Sequence, residues 1–382
     1  MTYVPFNQPY ATGAELGYLE EAIAAGHLSG NGPFTRRCHA WLEQRTAAAA
    51  ALLTHSGTAA LEMAAILAGI EPGDEVVMPS FTFVSTANAF VLRGAVPVFV
   101  DVRADTLNLD ERLLEAAIGE RTRAIVPVHY AGIGCQMDAI SGVASRHDLL
   151  VIEDAAHGLG ATFRGRPLGS LGHMAALSFH ETKNVSCGEG GALLLSELDR
   201  LRSAEVVHEK GTDRCRFLRG EVDKYTWEGI GSSYPPSEIN AAFLWAQLEA
   251  AERINAERMR VWERYHEGLA PLESDGLLRR PLVPPECAHN AHMYYVLVPG
   301  DQREGFIDAL AERGVNAVFH YVPLHSSPAG LRYGRASGEL AVTDDVSARL
   351  VRLPLWVGME ERQVEHVVAS VFEVLERVPA GA

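Results

Sequence analysis

Residues 49–67 read AAALLTHSGTAALEMAAIL: an apolar run, a polar turn at His55-Ser56-Gly57-Thr58, then apolar residues at helical spacing. Ala49 to Leu53 predicts a strand and Ala59 to Leu67 a helix. The unit repeats downstream. Glu75 to Met78 predicts a strand before a helix from about Val84 to Leu92, and Val96 to Val100 a strand before a helix over Asp110 to Ile118. Ala124 to Val128 predicts a strand before the helix Asp138 to Arg146, and Leu149 to Ile152 the strand after it. These strands are near-continuous apolar runs, not alternating ones, which marks a sheet covered on both faces. Strand–helix–strand spacing implies right-handed crossovers, so the fold class is α/β with a mostly parallel central sheet covered by helices.

Outward from this core the pattern changes. Upstream lie a helical stretch, Gly13 to Ala25, and a turn at Gly30-Asn31-Gly32-Pro33. Downstream, Ser237 to Leu269 predicts one helix of about nine turns, long enough to bridge two units. Short strands (Tyr294 to Val298, Val315 to Phe319), Pro-rich loops and a last helix (Glu361 to Arg377) follow. A chain of 382 residues suits two domains. The expected division is a large α/β domain over residues 1–250 and a smaller C-terminal α+β domain over 251–382.

Composition removes several classes of function. The 47% apolar and 21% charged content suits a globular enzyme and excludes a disordered chain. A net charge of −16 repels a phosphate backbone and disfavours nucleic acid as a partner, though a local pocket can still take one small phosphorylated ligand. No apolar run approaches the ~18 residues of a membrane span. Met1 to Tyr10 shows no secretory pattern, so the expected location is the cytoplasm. The cysteines Cys38, Cys135, Cys187, Cys215 and Cys287 form no CxxC pair, and free thiols are expected. His180-Glu181 would need a histidine at 184 for a zinc motif; Asn184 stands there, so no metal is expected. Only three lysines occur, Lys183, Lys210 and Lys224, which leaves few candidates for chemistry that needs an internal amine.

In open parallel sheets ligands lie outside the carboxyl ends of the strands, and three segments fall there. Ser56-Gly57-Thr58 opens a helix, where free N–H groups and a partial positive charge receive phosphate; alone it reads more readily as an ordinary N-cap. Glu153-Asp154-Ala155-Ala156-His157 puts a carboxylate at a buried strand end, where it needs a cationic partner or a structural ion pair. Ser178-Phe179-His180-Glu181-Thr182-Lys183-Asn184, before Gly188-Glu189-Gly190-Gly191, places a lysine on a loop beside glycines. Phosphate cradle, carboxylate and lysine together suit pyridoxal 5′-phosphate (PLP), which needs an anion site, a partner for its pyridine nitrogen and an amine for a Schiff base.

These segments, with Pro-Ser-Phe-Thr-Phe-Val (79–84), resemble the DegT/DnrJ/EryC1/StrS sugar aminotransferases. The resemblance spans about Val4 to the last helix and implies the fold type I, aspartate aminotransferase-like architecture. It implies that Lys183 is the Schiff-base lysine, Asp154 the carboxylate on the pyridine nitrogen, Phe83 the aromatic stacked on the ring and His157 the group near the ring hydroxyl. Gly57, Thr58 and Ser178, with Ser56, match the phosphate cradle. Where the family commonly carries Asn in a Gly-x-Asn-Tyr-Arg segment contributed by a neighbouring subunit, this chain has Ser233, followed by Tyr234 and Pro235. Homodimers with shared sites are implied.

Within the family, Phe-Thr-Arg-Arg-Cys (34–38), Val-His-Tyr-Ala-Gly (128–132), Asp-Lys-Tyr-Thr-Trp (223–227), Asn-Ala-His-Met-Tyr-Tyr (290–295) and Val-Phe-His-Tyr-Val-Pro-Leu-His (318–325) are similar to the TDP-4-keto-6-deoxy-D-glucose 4-aminotransferases. That likeness implies an amino-acid donor, glutamate in the family's usual chemistry, a nucleotide-sugar acceptor and TDP-4-amino-4,6-dideoxy-D-galactose as product. Lys210, Lys224, His320, Tyr321 and His325 are candidates for binding substrate. Four alternatives stand beside it. A 3-ketosugar aminotransferase of the same family would share these motifs. A sugar dehydratase of the family would carry histidine at 183, and a non-catalytic relative would have lost the lysine or the aspartate. A nucleotide-binding oxidoreductase would need a GxGxxG turn after the first strand, and none is present.

Overall fold

The computed structural model describes residues 3–300 and 302–376. Its strands are β1 (Ala50–Thr54), β2 (Glu75–Pro79), β3 (Val96–Val100), β4 (Thr122–Ile125), β5 (Leu150–Asp154), β6 (Thr162–Phe163), β7 (Arg166–Pro167), β8 (Met174–Ser178), β9 (Gly191–Leu195), β10 (Cys287–Ala288), β11 (Tyr294–Leu297), β12 (Val318–Phe319), β13 (Arg335–Ala336) and β14 (Leu350–Leu353). Eight of them form one sheet in the order β1-β9-β8-β5-β4-β2-β3-β13. Only β9 runs against its neighbours. This is the α/β fold type I architecture.

The continuous apolar runs have a direct cause. On β2, Val76 and Met78 face a core built with Ala60, Met63 and Ala64 of the helix Gly57–Leu67. Val77 faces the opposite core, with Ile140 and Val143 of the helix Met137–Arg146. Both pleats of the strand are buried, so both must be apolar. Burying one such side chain stabilises the fold by about 1.5–3 kcal/mol.

The C-terminal part builds its own antiparallel sheet, β11-β14-β12. Val296, Val351 and Leu353 pack there against Val261, Tyr265, Val364 and Val367 of the helices Ala251–Gly268 and Glu361–Glu376. Two short segments reach back. β13 extends the large sheet beside β3, and β10 pairs with β6. Among the described residues no helix is long and apolar enough to cross a membrane.

Three expectations need correction. The long helix over 237–269 is two, Glu238–Glu249 and Ala251–Gly268, broken where Ala250 has φ −94° and ψ 2°. The first packs on the helices Glu15–Ala24 and Pro33–Thr46, the second on Glu361–Glu376. No Gly or Pro marks the break; different packing partners impose it. The helix predicted over 110–118 opens as a 3-10 turn, Glu111–Leu113, because the Asp110 carboxylate accepts from the Arg112 N–H at 3.1 Å, and only Leu114–Ala117 is α-helical. The strand expected over 315–319 keeps Val318–Phe319, since Val315 bridges to Val4 instead. The final helix is Glu361–Glu376; Arg377, its predicted end, lies outside the described residues.

Candidate active site

A cavity of about 580 Å³ opens at the carboxyl ends of β1, β2, β5 and β8. Such a volume suits a small organic ligand. Its floor comes from the large sheet. Thr54 and Ser178 both lie opposite Gly191, which draws the ends of β1 and β8 together. A Cβ on Gly57 would lie 2.9 Å from the Ser178 Cβ, so only glycine lets the helix Gly57–Leu67 start this close to β8. Ser56 caps that helix by accepting from the Ala59 N–H at 3.1 Å. Gly57 and Thr58 then begin it with N–H groups that have no carbonyl one turn back inside the helix, which makes an anion site.

Asp154 ends β5 and is buried. Its Oδ2 accepts from the Thr86 hydroxyl at 2.7 Å and its Oδ1 from the Ala156 N–H at 3.2 Å. Thr86 belongs to the helix Val84–Val91, just after Phe83, which lines the cavity while 56% exposed. Lys183 stands on the loop after β8, whose turn is fixed by Lys183 N–H donating to the His180 carbonyl at 2.9 Å. Burial lowers its amine from the usual lysine range to about 8; Asp154 opposes the shift and Arg352 adds to it.

The roof comes from the C-terminal part. His292 stacks on His157 with ring centroids 4.0 Å apart, and His320 stacks on Tyr321 at 3.6 Å. The Tyr130 hydroxyl and His320 Nδ1 are 2.8 Å apart. Burial holds His157, His292 and His320 well below the ordinary histidine range, so all three are neutral at physiological pH. Asn184, next to Lys183, fastens floor to roof: its Nδ2 donates to the Asn290 carbonyl at 2.7 Å and its Oδ1 lies 3.0 Å from His292 Nδ1. Tyr321 holds φ +46°, a conformation that a residue with a Cβ adopts only at a cost.

Ser56, Gly57, Thr58, Phe83, Asp154, His157, Ser178, Lys183, His320 and Tyr321 therefore share one cavity. Four other predicted residues do not line it. His325 turns to the Ser80 hydroxyl at 2.8 Å, with Asp344 at 3.5 Å, and does not line the cavity. Lys210 pairs with Glu209 at 3.1 Å, and Lys224 is exposed; neither lines the cavity of its own chain. Ser233 is exposed and bridges to Glu209, outside its own chain's cavity. Thr86, Asn184, His292 and Arg352 escaped the sequence reading. Thr86 lies two residues past the quoted 79–84 segment, and the other three gain meaning only from distant partners.

The cavity fits a phosphorylated pyridine aldehyde on its own evidence. It offers a helix N-terminus that a Cβ would block, a carboxylate fixed by two donors, and a lysine of lowered basicity. Among the described residues the buried His157 Nδ1 also has no hydrogen-bond partner. Fold and site define a PLP-dependent enzyme of fold type I. The sequence model of the DegT/DnrJ/EryC1/StrS aminotransferase family matches residues 9–372. The chain belongs to that family and is a PLP-dependent sugar aminotransferase. It is similar to the aminotransferase TlmJ from Streptoalloteichus hindustanus at 29% identity, with a TM-score of 0.90 over 99% of this chain and 100% of that one. DesV of S. venezuelae, solved with a ketimine intermediate, is 31% identical, with a TM-score of 0.89 over 99% and 100% of the two chains. Spr1654 from Streptococcus pneumoniae in its PLP form is 26% identical, with a TM-score of 0.91 over the same shares.

Proposed function

We propose that the enzyme moves an amino group from L-glutamate to C4 of TDP-4-keto-6-deoxy-D-glucose, giving TDP-4-amino-4,6-dideoxy-D-galactose and 2-oxoglutarate. The observation that carries the reaction class is Lys183, of lowered basicity, in one cavity with Asp154 and the Gly57–Thr58 helix start. The choice of acceptor rests on the subgroup motifs. His292, His320 and Tyr321 in the roof add neutral imidazole and phenol groups, which suit the hydroxyls of a sugar.

PLP, when bound, supplies an electron sink that stabilises negative charge on the carbon losing its proton. Lys183 holds the cofactor between turnovers. With PLP bound, the freed Lys183 amine would take the proton from the donor's α-carbon and give it up again on the cofactor side, and would run the same transfer backwards for the acceptor. A base must be neutral, and an amine near pH 8 reaches that state far more readily than an exposed lysine. Asp154 keeps the ring nitrogen protonated, while Thr86 and the Ala156 N–H keep Asp154 aimed. Phe83 packs on the ring. His157 offers its unpartnered Nδ1 to the ring hydroxyl. Gly57, Thr58 and Ser178 take the phosphate.

A second copy of the chain completes the site in this reading. Tyr225, Trp227 and Ile230 are 52%, 80% and 61% exposed on the segment that leads to Ser233. A homodimer contact would cover them and carry Ser233 to the partner's phosphate. Residues 1–250 then form the cofactor domain and 251–382 the smaller one.

The test is incubation of the PLP-loaded enzyme with TDP-4-keto-6-deoxy-D-glucose and L-glutamate, with NMR of the product. An axial amine at C4 is expected. An amine at C3 from a 3-ketosugar, or no amination of either, overturns the assignment.

A further inference from the structure

β14 reads Leu350-Val351-Arg352-Leu353, followed by Pro354-Leu355-Trp356-Val357, so one arginine interrupts an apolar run of eight residues. Val351 and Leu353 point into the C-terminal core, and strand alternation turns Arg352 the other way, into the cavity shared with Lys183. Its guanidinium lies 4.7 Å from the centroid of the Phe6 ring, which sets its plane. Among the described residues no carboxylate lies within ion-pair distance of it. Its one hydrogen bond is a long contact from Nη2 to the Phe319 carbonyl at 3.4 Å, and the buried Nε has no partner. Arg258, the other arginine at the cavity, is spent on the Ala291 and His292 carbonyls at 3.1 and 2.7 Å. A buried donor left unpaired costs stability, so an arginine kept in this state points to a ligand that pairs with it.

We infer that Arg352 receives the α-carboxylate of the amino-acid donor. A guanidinium fork matches a planar carboxylate through two parallel N–H···O bonds. The donor's α-carboxylate is bonded to the carbon that bears the transferred amine, so it must come to rest close to Lys183. Arg352 meets that requirement: it lines the same cavity as Lys183, His157 and His320. An overall charge of −16 offers an anion little attraction except at such a local cation. The sugar's diphosphate hangs from C1 and not from the carbon that is aminated, so it has no such requirement to lie beside Lys183.

The inference rests on the aminotransferase class and not on which ketosugar is used. The PLP-loaded parent, Arg352→Gln and Arg352→Lys are compared. Calorimetric titration with glutarate, an unreactive dicarboxylate, should show Arg352→Gln binding about 100-fold more weakly and Arg352→Lys recovering part of the loss. The donor half-reaction, followed by the visible absorbance, should slow by the same factor with L-glutamate and with L-2-aminobutyrate, which lacks the distal carboxylate. TDP affinity should not change. Glutarate binding within about twofold of the parent in a folded Arg352→Gln protein overturns the inference. So does a defect confined to L-glutamate, which would place Arg352 on the distal carboxylate, or one confined to TDP, which would place it on the diphosphate. A protein that passes this test yet aminates no ketosugar sinks only the substrate reading above.

Discussion

The cavity floor is made from the ends of strands in one sheet, whereas its roof is made from loops and a strand of a second sheet. Each floor residue follows a strand within a few positions: Gly57 after β1, Phe83 after β2, Asp154 at the end of β5, Lys183 after β8. The roof residues His292, His320 and Arg352 come from the second sheet and the loops beside it, and Asn184 and Asn290 are among the residues that tie the two parts together. Asn290 Nδ2 donates to the His157 carbonyl at 2.7 Å, and a Cβ on Gly132 would fall 2.1 Å from Asn290 Oδ1. The difference teaches a division of labour. In the proposed reaction the floor would hold what both half-reactions share, and the roof what differs between donor and acceptor. Floor substitutions should therefore damage both halves equally, and roof substitutions one half more than the other.

The largest effect belongs to Lys183→Ala. Turnover should vanish in both halves while the circular dichroism spectrum is kept, and mass spectrometry after borohydride treatment should find no cofactor attached. Turnover at the parent rate would remove Lys183 from the chemistry. Asp154→Asn comes next. At ~4 Å and an effective dielectric of about 20 the charge pair with the ring nitrogen is worth roughly 4 kcal/mol. Used selectively for the transition state, that is about a thousandfold in rate. Stopped-flow measurement of each half separately should show equal losses; a loss in one half alone would break the floor-and-roof division.

The same contrast explains what the amino-acid sequence revealed. The floor was legible because sheet topology converts a position in the chain into a position in space. The sheet was legible because two-sided burial leaves continuous apolar runs. The break at Ala250 was not, since no local residue encodes it and only the separate partners of the two helices do. Arg352 stayed hidden for a similar reason: its meaning lies in Lys183 and Phe6, both far away in the chain.

Glu153 and Asp154 repeat the contrast within two residues. Asp154 faces the cavity, while Glu153 faces away and is buried among His129 Nε2 at 2.8 Å and the N–H groups of Gly169, Leu171 and Gly172 at 2.7–2.9 Å. Burial works to raise the Glu153 carboxyl, but the His129 contact and these donors outweigh it and hold it below its usual 4.5. Glu153→Gln leaves some of those donors unpaired and should cost about 3 kcal/mol of stability in denaturant unfolding, with little change in rate per folded molecule. Because the folded state depresses this carboxyl, its stabilisation is present above pH 4.5 and is lost as pH falls through the folded value. The gap between parent and variant should narrow in acid. Thr86→Val deletes the hydroxyl on Asp154 while keeping its shape. One charge-assisted hydrogen bond is worth about 1.5 kcal/mol, so both halves should slow about tenfold.

The smallest effect concerns the bare amine and tests floor and roof in opposite directions. Capture of PLP by the apoenzyme requires neutral Lys183. With the amine at about 8, the neutral fraction, and with it the capture rate, should climb about tenfold between about pH 7 and about pH 9 and then level off. An exposed lysine would gain about 100-fold over the same span with no plateau. Asp154 raises this amine and Arg352 lowers it. Asp154→Asn should therefore bring the plateau to lower pH, and Arg352→Gln should move it higher. Rapid-mixing measurements of capture against pH would read all three curves. Shifts in the same direction would mean that the two side chains do not flank Lys183 with opposite charge, and the distinction between floor and roof would fail at the atom where both meet.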